Sequence, residues 1–360
     1  MSWFWFAIIA LLCWSGSDFF SKIGCRDAKD KYSQFKMVMA VGLVMGVHAL
    51  IEIIGGVEIS WQIIWTYLPV SLLYIGSMAL GYVGLRYIEL SISSPICNAS
   101  GALVAIVAIL TGTADAMEVP QYVAIALACL GVIGLGFVEA NEDEELRAKR
   151  QEVSNYKYAK SWLALALPIA YCLLDAAGTF ADSLVLETFH MDFIHANVSA
   201  EFTNLFQNGI PEFLADAEQA FSPEFLAQYT PEQGEYLRSF VIEMSDASSS
   251  SANVAYELTF FAAGVCCFIY TVLIKKQPLV ANVERPKYIG AIFETAGQFA
   301  YIFALADEEH VAMSAPIIAS YCMASVLWSR IFLKEKLSWK HYACIAVTFA
   351  GILIMGIYDM

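Results

Sequence analysis

The stretch Ala312–Gly356, AMSAPIIASYCMASVLWSRIFLKEKLSWKHYACIAVTFAGILIMG, indicates what class of protein this is. Two apolar runs flank a short charged turn, Lys334-Glu335-Lys336. Each run is long enough to cross a hydrocarbon core of roughly 30 Å as a helix. The stretch therefore predicts two membrane-spanning helices joined by a tight basic turn.

The first half of the chain repeats this pattern in the stretch Ser91–Gly136. The matched pairs are Pro95 with Pro316, Tyr122 with Tyr342, Gly131 with Gly351, and Gly136 with Gly356. Residues 2–13 also align without a gap on residues 161–172, but at a shorter offset. The chain is therefore expected to be an internal duplication whose second copy carries an insertion after its first helix. Residues 187–251, the only long polar stretch, supply that insertion.

The duplicated pattern resembles the EamA-like members of the drug/metabolite transporter (DMT) superfamily, whose unit of five membrane helices is duplicated to ten. The resemblance is carried by the S-x-P segments Ser93–Pro95 and Ser314–Pro316, the F-L-K-E-K-L-S turn Phe332–Ser338, and the glycine-rich last helix of each half. It covers most of the chain outside the insertion. It implies a secondary transporter that moves a small organic metabolite or drug-like solute by alternating access.

The composition is typical of a polytopic membrane protein. Of the 360 residues, 59% are hydrophobic and 15% are charged, far from the balance of a soluble domain. Residues 1–20 lack a basic start and contain Asp18, so they are interpreted as a spanning helix rather than a cleaved signal. The net charge of −15 argues against a nucleic-acid partner. The nine cysteines include no C-x-x-C pair, so neither a metal site, a disulfide nor a cofactor is expected.

The predicted fold class is an all-α polytopic membrane protein of ten transmembrane helices, arranged as two five-helix inverted repeats. Because five is odd, two tandem copies must insert in opposite orientations. The predicted helices cover residues 3–22, 35–54, 64–87, 94–110, 120–137, 161–186, 253–274, 288–305, 312–332 and 339–358. The predicted domains are a first repeat at 1–138, a charged cytoplasmic linker at 139–160, and a second repeat at 161–360, interrupted between helices 6 and 7 by the polar, extramembrane insertion 187–251.

Basic residues set the predicted orientation. Of the 20 Lys and Arg residues, all but Arg238 lie in loops that follow an odd-numbered helix. Loops rich in Lys and Arg are cytoplasmic as a rule. We therefore expect a multi-pass protein of the cell (plasma) membrane with both termini and residues 187–251 on the extracytoplasmic side, although relatives in the superfamily more often have cytoplasmic termini.

The acidic, aromatic-rich insertion is expected to fold as a cap over the outer face. It holds eleven acidic residues and one basic residue, with phenylalanines recurring among the acids. Phe202 with Phe206, and Phe221 with Phe225, are spaced for short amphipathic helices. Residues 245–251 are predicted to be a flexible return to helix 7. A loop without a function is left open as an alternative.

Two carboxyl groups lie well inside predicted helices, Asp175 in helix 6 and Glu294 in helix 8. Charged groups in a membrane are costly and usually face a cavity or a partner. Desolvation disfavours the charged form of a carboxyl group, so a buried carboxyl group holds its proton more tightly. A proton-carrying group must be able to hold a proton near neutral pH. Both are therefore candidates for the substrate cavity and for proton coupling, with hydrogen bonding between helices as the alternative. Counted along their helices, they fall in opposite halves of the membrane.

Helix 8 also presents a polar face, because Glu294, Gln298 and Tyr301 recur at i, i+4 and i+7. Three polar residues would not share a lipid-facing stripe, so this face is predicted to line a central cavity. Polar packing between helices is the alternative.

Further cavity candidates lie in helix 1 and just after the matched prolines: Trp14, Asp18, Asn98, Ser320 and Tyr321. The resemblance implies that the helices carrying the last three border the cavity. Packing of Trp14 and solvation of Asp18 at the membrane interface are left open. Helix 3 offers two weaker candidates, Tyr74 and Tyr82.

Two classes of function remain. The first is the secondary transporter described above. No enzyme activity is expected, because no H-E-x-x-H, G-x-S-x-G or Walker A motif occurs. The second is a membrane receptor or binding protein whose acidic cap recognises a ligand. The expected partners are a small-molecule solute and the lipid bilayer, and a homodimer is left open.

Overall fold

The computed structural model describes residues 3–25, 30–87, 90–111, 118–140, 163–215, 220–306, 310–332 and 337–359, and no strand occurs within these ranges. The helices are α1 Trp3–Cys25, α2 Ser33–Gly55, α3 Trp61–Tyr87, α4 Leu90–Cys97, α5 Ser100–Thr111, α6 Val119–Ala140, α7 Leu163–Asn197, α8 Ala200–Leu205, α9 Pro223–Leu226, α10 Pro231–Phe268, α11 Ala281–Leu305, α12 Val311–Ala319, α13 Tyr321–Phe332 and α14 Trp339–Asp359. A 3₁₀ turn, Glu212–Ala215, precedes α9, and a π-helical turn, Ile269–Ile274, continues α10.

Eight helical segments of the described chain are long and apolar enough to cross a membrane. They are α1, α2, α3, α6, α7, α10 with its π-helical turn, α11, and α12 together with α13. Helices α5 and α14 are apolar but shorter. The all-helical, multi-pass class is therefore confirmed, while the arrangement of ten helices in two repeats stays a prediction.

Predicted helices 4 and 9 are each broken near the matched prolines, rather than continuous. Helix α4 gives way to α5, and α12 to α13, over one or two residues. At the first break the Asn98 side-chain amide donates to the Ser94 carbonyl oxygen (2.8 Å). At the second, Ser320 Oγ donates to the Pro316 carbonyl oxygen (2.7 Å). Side-chain bonds of this kind compete with the helical backbone ladder and can bend or end a helix.

The long helices pack mainly against helices from the other half of the chain: α1 against α11, α2 against α10, α3 against α7, and α6 against α14. Glycines allow two of these pairs to approach closely. A methyl group on Gly42 of α2 would lie 2.9 Å from Cα of Gly264 on α10. A methyl group on Gly131 of α6 would lie 2.8 Å from the carbonyl oxygen of Cys344 on α14.

Residues 187–251 do not simply connect two helix ends. Helix α7 continues past its predicted end at residue 186 to Asn197, and α10 begins at Pro231, well before the predicted start at residue 253. The start of α10 is fixed by a capping box, in which Thr230 and Gln233 bond each other's backbone amides. Much of the predicted insertion is therefore an extension of two long helices.

The predicted flexible return at residues 245–251 is wrong, because this segment lies inside α10 and its serines 248, 249 and 251 are buried. The run of serines suggested a solvent-exposed linker, but these hydroxyl groups donate to acceptors within the protein. Ser251 Oγ donates to the Glu58 carbonyl oxygen (2.7 Å), and Ser248 Oγ donates one turn back to Ser245 (2.9 Å). A satisfied hydroxyl group can be buried in a helix at little cost.

The tip of this region has a hydrophobic core of its own, which we call the cap core. Its buried members are Ile194, Phe202, Phe206, Leu214, Ala220, Leu237, Val241 and Met244. Phe202 and Phe206 contact each other as predicted, with ring centroids 5.2 Å apart. Phe225 packs instead on Phe213 (5.0 Å), because α9 begins only at Pro223 and Phe221 lies outside it. A folded cap is thus present among the described residues.

Candidate functional site

A central cavity lies among the helices, with walls from both halves of the chain. The space that it offers to the centres of water-sized molecules is about 90 Å³. Eight of the nine predicted cavity residues line it: Trp14, Asp18, Asn98, Asp175, Glu294, Gln298, Tyr301 and Tyr321. The ninth, Ser320, is buried at the α12–α13 break, where it bonds the Pro316 carbonyl oxygen. The structure therefore gives Ser320 a place in the backbone turn, outside the cavity wall.

Each cavity carboxyl group accepts one hydrogen bond from a serine on another helix. Ser17 Oγ donates to Glu294 (2.6 Å), and Ser100 Oγ donates to Asp175 (2.7 Å). Ser94 Oγ donates to Asp18 (2.8 Å) in the same way. Asp175 and Glu294 are predicted to lie in opposite halves of the membrane. Both nevertheless line the same cavity, because it extends along both α7 and α11.

The predicted polar face of α11 is buried and lines the cavity along its length. Glu294, Gln298 and Tyr301 are each less than one-tenth exposed. Gln298 Nε2 has no hydrogen-bond partner among the described residues. Tyr301 Oη donates to Thr179 Oγ1 on α7 (3.0 Å). The hydrogen bond that Glu294 accepts comes from Ser17, and none with Gln298 or Tyr301 is found within the described chain.

Aromatic rings form much of the remaining wall. The Trp14 indole contacts Tyr301, with ring centroids 4.9 Å apart, and meets Tyr321 edge-on at 6.0 Å. It lies over Gly297, where a methyl group would approach the indole Cδ1 to 2.4 Å. The weaker candidates Tyr74 and Tyr82 also line the cavity. Trp14 thus both packs against its neighbours and faces the cavity.

One end of the cavity is bounded by a hydrogen-bonded group in which the candidates Tyr74 and Tyr301 are joined by Tyr67 and Asp182, which the sequence analysis missed. Tyr67 Oη donates to Asp182 Oδ1, and Tyr74 Oη donates to Asp182 Oδ2 (3.4 Å). The hydroxyl groups of Tyr74 and Tyr301 also bond each other. We call these four residues the tyrosine–aspartate layer. It lies on the side of the cap, since Tyr67 also contacts Phe189 (6.2 Å) on the extension of α7.

A signal for Asp182 was present in the sequence. Asp175, Thr179 and Asp182 recur at i, i+4 and i+7, the same spacing that identified the face of α11. The predicted helix ended at residue 186, which placed Asp182 near the membrane surface. The real helix extends to Asn197, so Asp182 is deep within it and fully buried.

The opposite end of the bundle carries a buried cluster of four charged residues. Lys36 lies 3.0 Å from Asp30 and 3.1 Å from Glu284, and Lys287 lies 2.8 Å from Glu284. The two lysines, expected in loops, are buried within α2 and α11. Lys287 is on the same helix as Glu294, but its charge is matched by its own acidic neighbours.

A second acidic residue within a membrane-length helix escaped notice in the sequence. Glu257 of α10 is fully buried, and its carboxylate lies 2.9 Å from Nδ1 of His48 on α2. This pair is not part of the cavity wall. Among the residues that the structure describes, no group of three His, Cys, Asp or Glu side chains is placed to hold a metal ion.

Comparisons with known proteins bear on the second half most directly. Residues 244–357 match the family model described as "EamA-like transporter family". A solved crystal structure of a protein is similar in fold, with a TM-score of 0.53 and 11% sequence identity over 99% of this chain and 97% of that one. The search of curated proteins finds no match. The similarity over residues 244–357 confirms the resemblance seen in the sequence, which is to the EamA-like transporter family of the DMT superfamily.

Proposed function

We propose that this protein is a secondary transporter that moves a small organic solute by alternating access. The observation that carries the proposal is the central cavity, whose polar and aromatic wall is contributed by both halves of the chain. Carriers built from repeats commonly hold their substrate at the interface between the repeats. The family match to transporters supports the same function.

The ten-helix arrangement in two inverted repeats is part of this proposal, and the helix pairing supports it. In the proposed duplication, α1 corresponds to α7, α2 to α10, α3 to α11 and α6 to α14. If each helix is replaced by its counterpart, the packed pair α1–α11 becomes the packed pair α7–α3, and the pairs α2–α10 and α6–α14 are unchanged. At the α6–α14 contact, a methyl group on Gly131 would meet Cys344, and one on Gly351 would meet Ala124. These are matched positions of the duplicated sequence. A two-fold relation between the halves would produce this reciprocity.

The domain boundaries are proposed on the same basis. The family match begins at residue 244, inside α10, and so leaves out α7 and most of residues 187–251. That is where a match would begin if an insertion separated the first helix of the second repeat from the other four. We propose that the termini and the cap face outward across the plasma membrane, which makes the tyrosine–aspartate layer the outer closure of the cavity.

The test is solute counterflow with full-length protein in proteoliposomes. Vesicles loaded with one unlabelled solute at a time would be offered the same solute in labelled form, from a panel of amines, amino acids, nucleosides and sugars. We expect one class to accumulate transiently, and Trp14→Ala to reduce the rate. A solute that binds the purified protein without any counterflow would contradict the transport function.

The receptor alternative is favoured by the separate hydrophobic core of the cap. Its two long helices also continue into the membrane region, as a signalling cap would require. A receptor would bind its ligand through the cap. Neutralising exposed cap residues such as Glu201 and Glu224 would then abolish ligand binding, whereas a transporter with a central site would keep it.

A further inference from the structure

The charges that face the cavity are all of one sign. Asp18, Asp175 and Glu294 line it, and no Lys, Arg or His is among the described residues of its wall. The nearest base along α1 is Lys22, one turn after Asp18, whose Nζ donates to the Leu85 carbonyl oxygen (2.9 Å) at the edge of the cavity. Lys22 can therefore offset one negative charge at that end. Asp175 and Glu294 have no basic residue in the wall beside them.

The hydrogen bonds of these two carboxyl groups leave acceptor capacity unused. A carboxylate has about four lone-pair positions for donors. Glu294 accepts from Ser17 through Oε2 and Asp175 accepts from Ser100 through Oδ2. The other oxygen of each group has no partner among the described residues. Ionised carboxylates in a low-dielectric site are costly unless a positive charge and further donors compensate them.

A second, independent observation indicates a ligand in the same space. Four buried atoms of the cavity wall have no hydrogen-bond partner in the described structure: Trp14 Nε1, Ser21 Oγ, Tyr82 Oη and Gln298 Nε2. All four can donate, so they suit an acceptor atom on a bound molecule. Buried polar groups are nearly always paired, which makes four unpaired donors in one wall unusual. Trp14, Tyr256 and Tyr301 line the same space, and aromatic rings can contact a cation or an aromatic body.

We propose that the substrate is an organic cation: a protonated amine on an aromatic body that also carries a hydrogen-bond acceptor. The ammonium group is held between Asp175 and Glu294, the body packs against the aromatic wall, and the acceptor reaches Gln298 and Tyr82. This assignment rests on the proposed transport function, because it names the class of solute that the central cavity carries.

The test uses three phenols of similar size that differ in the group at the end of the side chain, and therefore in charge. Tyramine is a cation at neutral pH, tyrosol is its neutral alcohol, and 4-hydroxyphenylacetate is an anion; all three share the phenol. Their binding to the full-length protein in detergent would be measured by equilibrium dialysis. We expect tyramine to bind at least about tenfold more tightly than tyrosol, since one charge-assisted hydrogen bond is worth that much. Equal or tighter binding of the anion, or no binding of tyramine, would overturn the proposal.

Variants separate the charge effect from folding. Glu294→Gln and Asp175→Asn should each weaken tyramine binding by about tenfold or more and leave tyrosol binding unchanged. Glu294→Asp keeps the charge and should keep the preference for tyramine over tyrosol. Glu224→Gln removes one charge from the exposed surface of the cap and serves as the matched control. If Glu224→Gln weakens tyramine binding as much as Glu294→Gln does, the cation is not held in the cavity.

Counterflow in proteoliposomes distinguishes this proposal from the transport function beneath it. If tyramine binds but shows no counterflow, the transport function is contradicted and the cation site is supported. If tyrosol or 4-hydroxyphenylacetate shows counterflow and tyramine does not, the transport function is supported and the cation site is contradicted.

Discussion

Gly297 determines where the Trp14 indole sits in the cavity wall. The indole occupies the space that a side chain at position 297 would take. From there it reaches both Tyr301 on α11 and Tyr321 on α13. The sequence could identify Trp14 as a candidate, but it could not show that a glycine on another helix makes room for it, because that contact joins residues far apart in the chain.

Gly297→Ala should therefore displace the indole and cost stability. The added methyl group would lie 2.4 Å from Cδ1 of Trp14, which is far inside van der Waals contact. Overpacking of this kind costs about 1–3 kcal/mol. We expect a lower midpoint of thermal unfolding in detergent together with slower counterflow. The matched control is Gly55→Ala, where nothing lies within 4 Å of the new methyl group, and equal losses in both variants would contradict the packing argument.

Proton coupling would also depend on a single residue, for which Glu294 is the first candidate. A coupling carboxyl group must exchange protons with each side in turn, and Gln keeps its shape without that ability. Measured at saturating solute, Glu294→Gln should lose accumulation driven by a pH gradient and keep exchange at equal pH. The neighbouring acids that could substitute are Asp18 and Asp175, which line the same cavity. An unchanged response to the pH gradient would assign Glu294 to binding alone, and Asp175→Asn would be tested next.

Among the elements, α7 and α10 depart most from what their sequences suggest. Hydropathy ends each spanning segment where polar residues begin, yet both helices continue beyond that point. The continuation is stabilised by contacts that hydropathy does not register, including the capping box at Thr230 and the buried serines of α10. The same misplaced helix end hid Asp182. In α11, where polar residues recur with helical spacing inside an apolar run, the prediction of a cavity face needed no knowledge of the ends.

The extension of α7 also changes what can be removed from the cap. Phe189 is buried in the main core of the protein, separate from the cap core. Replacing residues 189–250 with a short Gly/Ser linker should therefore destabilise the whole bundle, because truncating one buried Phe already costs about 3–5 kcal/mol. Replacing only residues 198–230 should leave α7, α10 and the bundle folded.

The measurement for both deletions is the thermal unfolding midpoint and the elution profile in detergent. The shorter deletion bares part of the cap core, so it should also carry Ile194→Ser, Leu237→Ser and Val241→Ser to prevent association through that patch. If the longer deletion is as stable as the shorter one, Phe189 contributes nothing to the bundle.

At the scale of the whole molecule, the cavity lies between two differently built ends. The end near the cap is closed by the tyrosine–aspartate layer, which holds three helices together through neutral hydroxyl groups and one carboxyl group. The far end holds the cluster of Asp30, Lys36, Glu284 and Lys287, in which two acids face two bases. Which end faces the cytoplasm decides whether the layer is an inner or an outer closure.

The distribution of basic residues predicts that the layer is the outer closure, and the prediction can be tested by cysteine labelling. In a variant without native cysteines, Glu224→Cys on the cap and Asn282→Cys at the start of α11 place one exposed thiol near each end. An impermeant thiol reagent should label the first in intact cells and the second only after permeabilisation. Lys36 and Lys287, which entered the count as loop residues, are buried and paired with acids, so they add little to the orientation signal. Lys275 and Lys276, just before α11, are exposed and lie at the far end from the cap. The reverse labelling would place the cap inside the cell and make the layer the inner closure, while labelling of both thiols in intact cells would contradict a membrane crossing by α10.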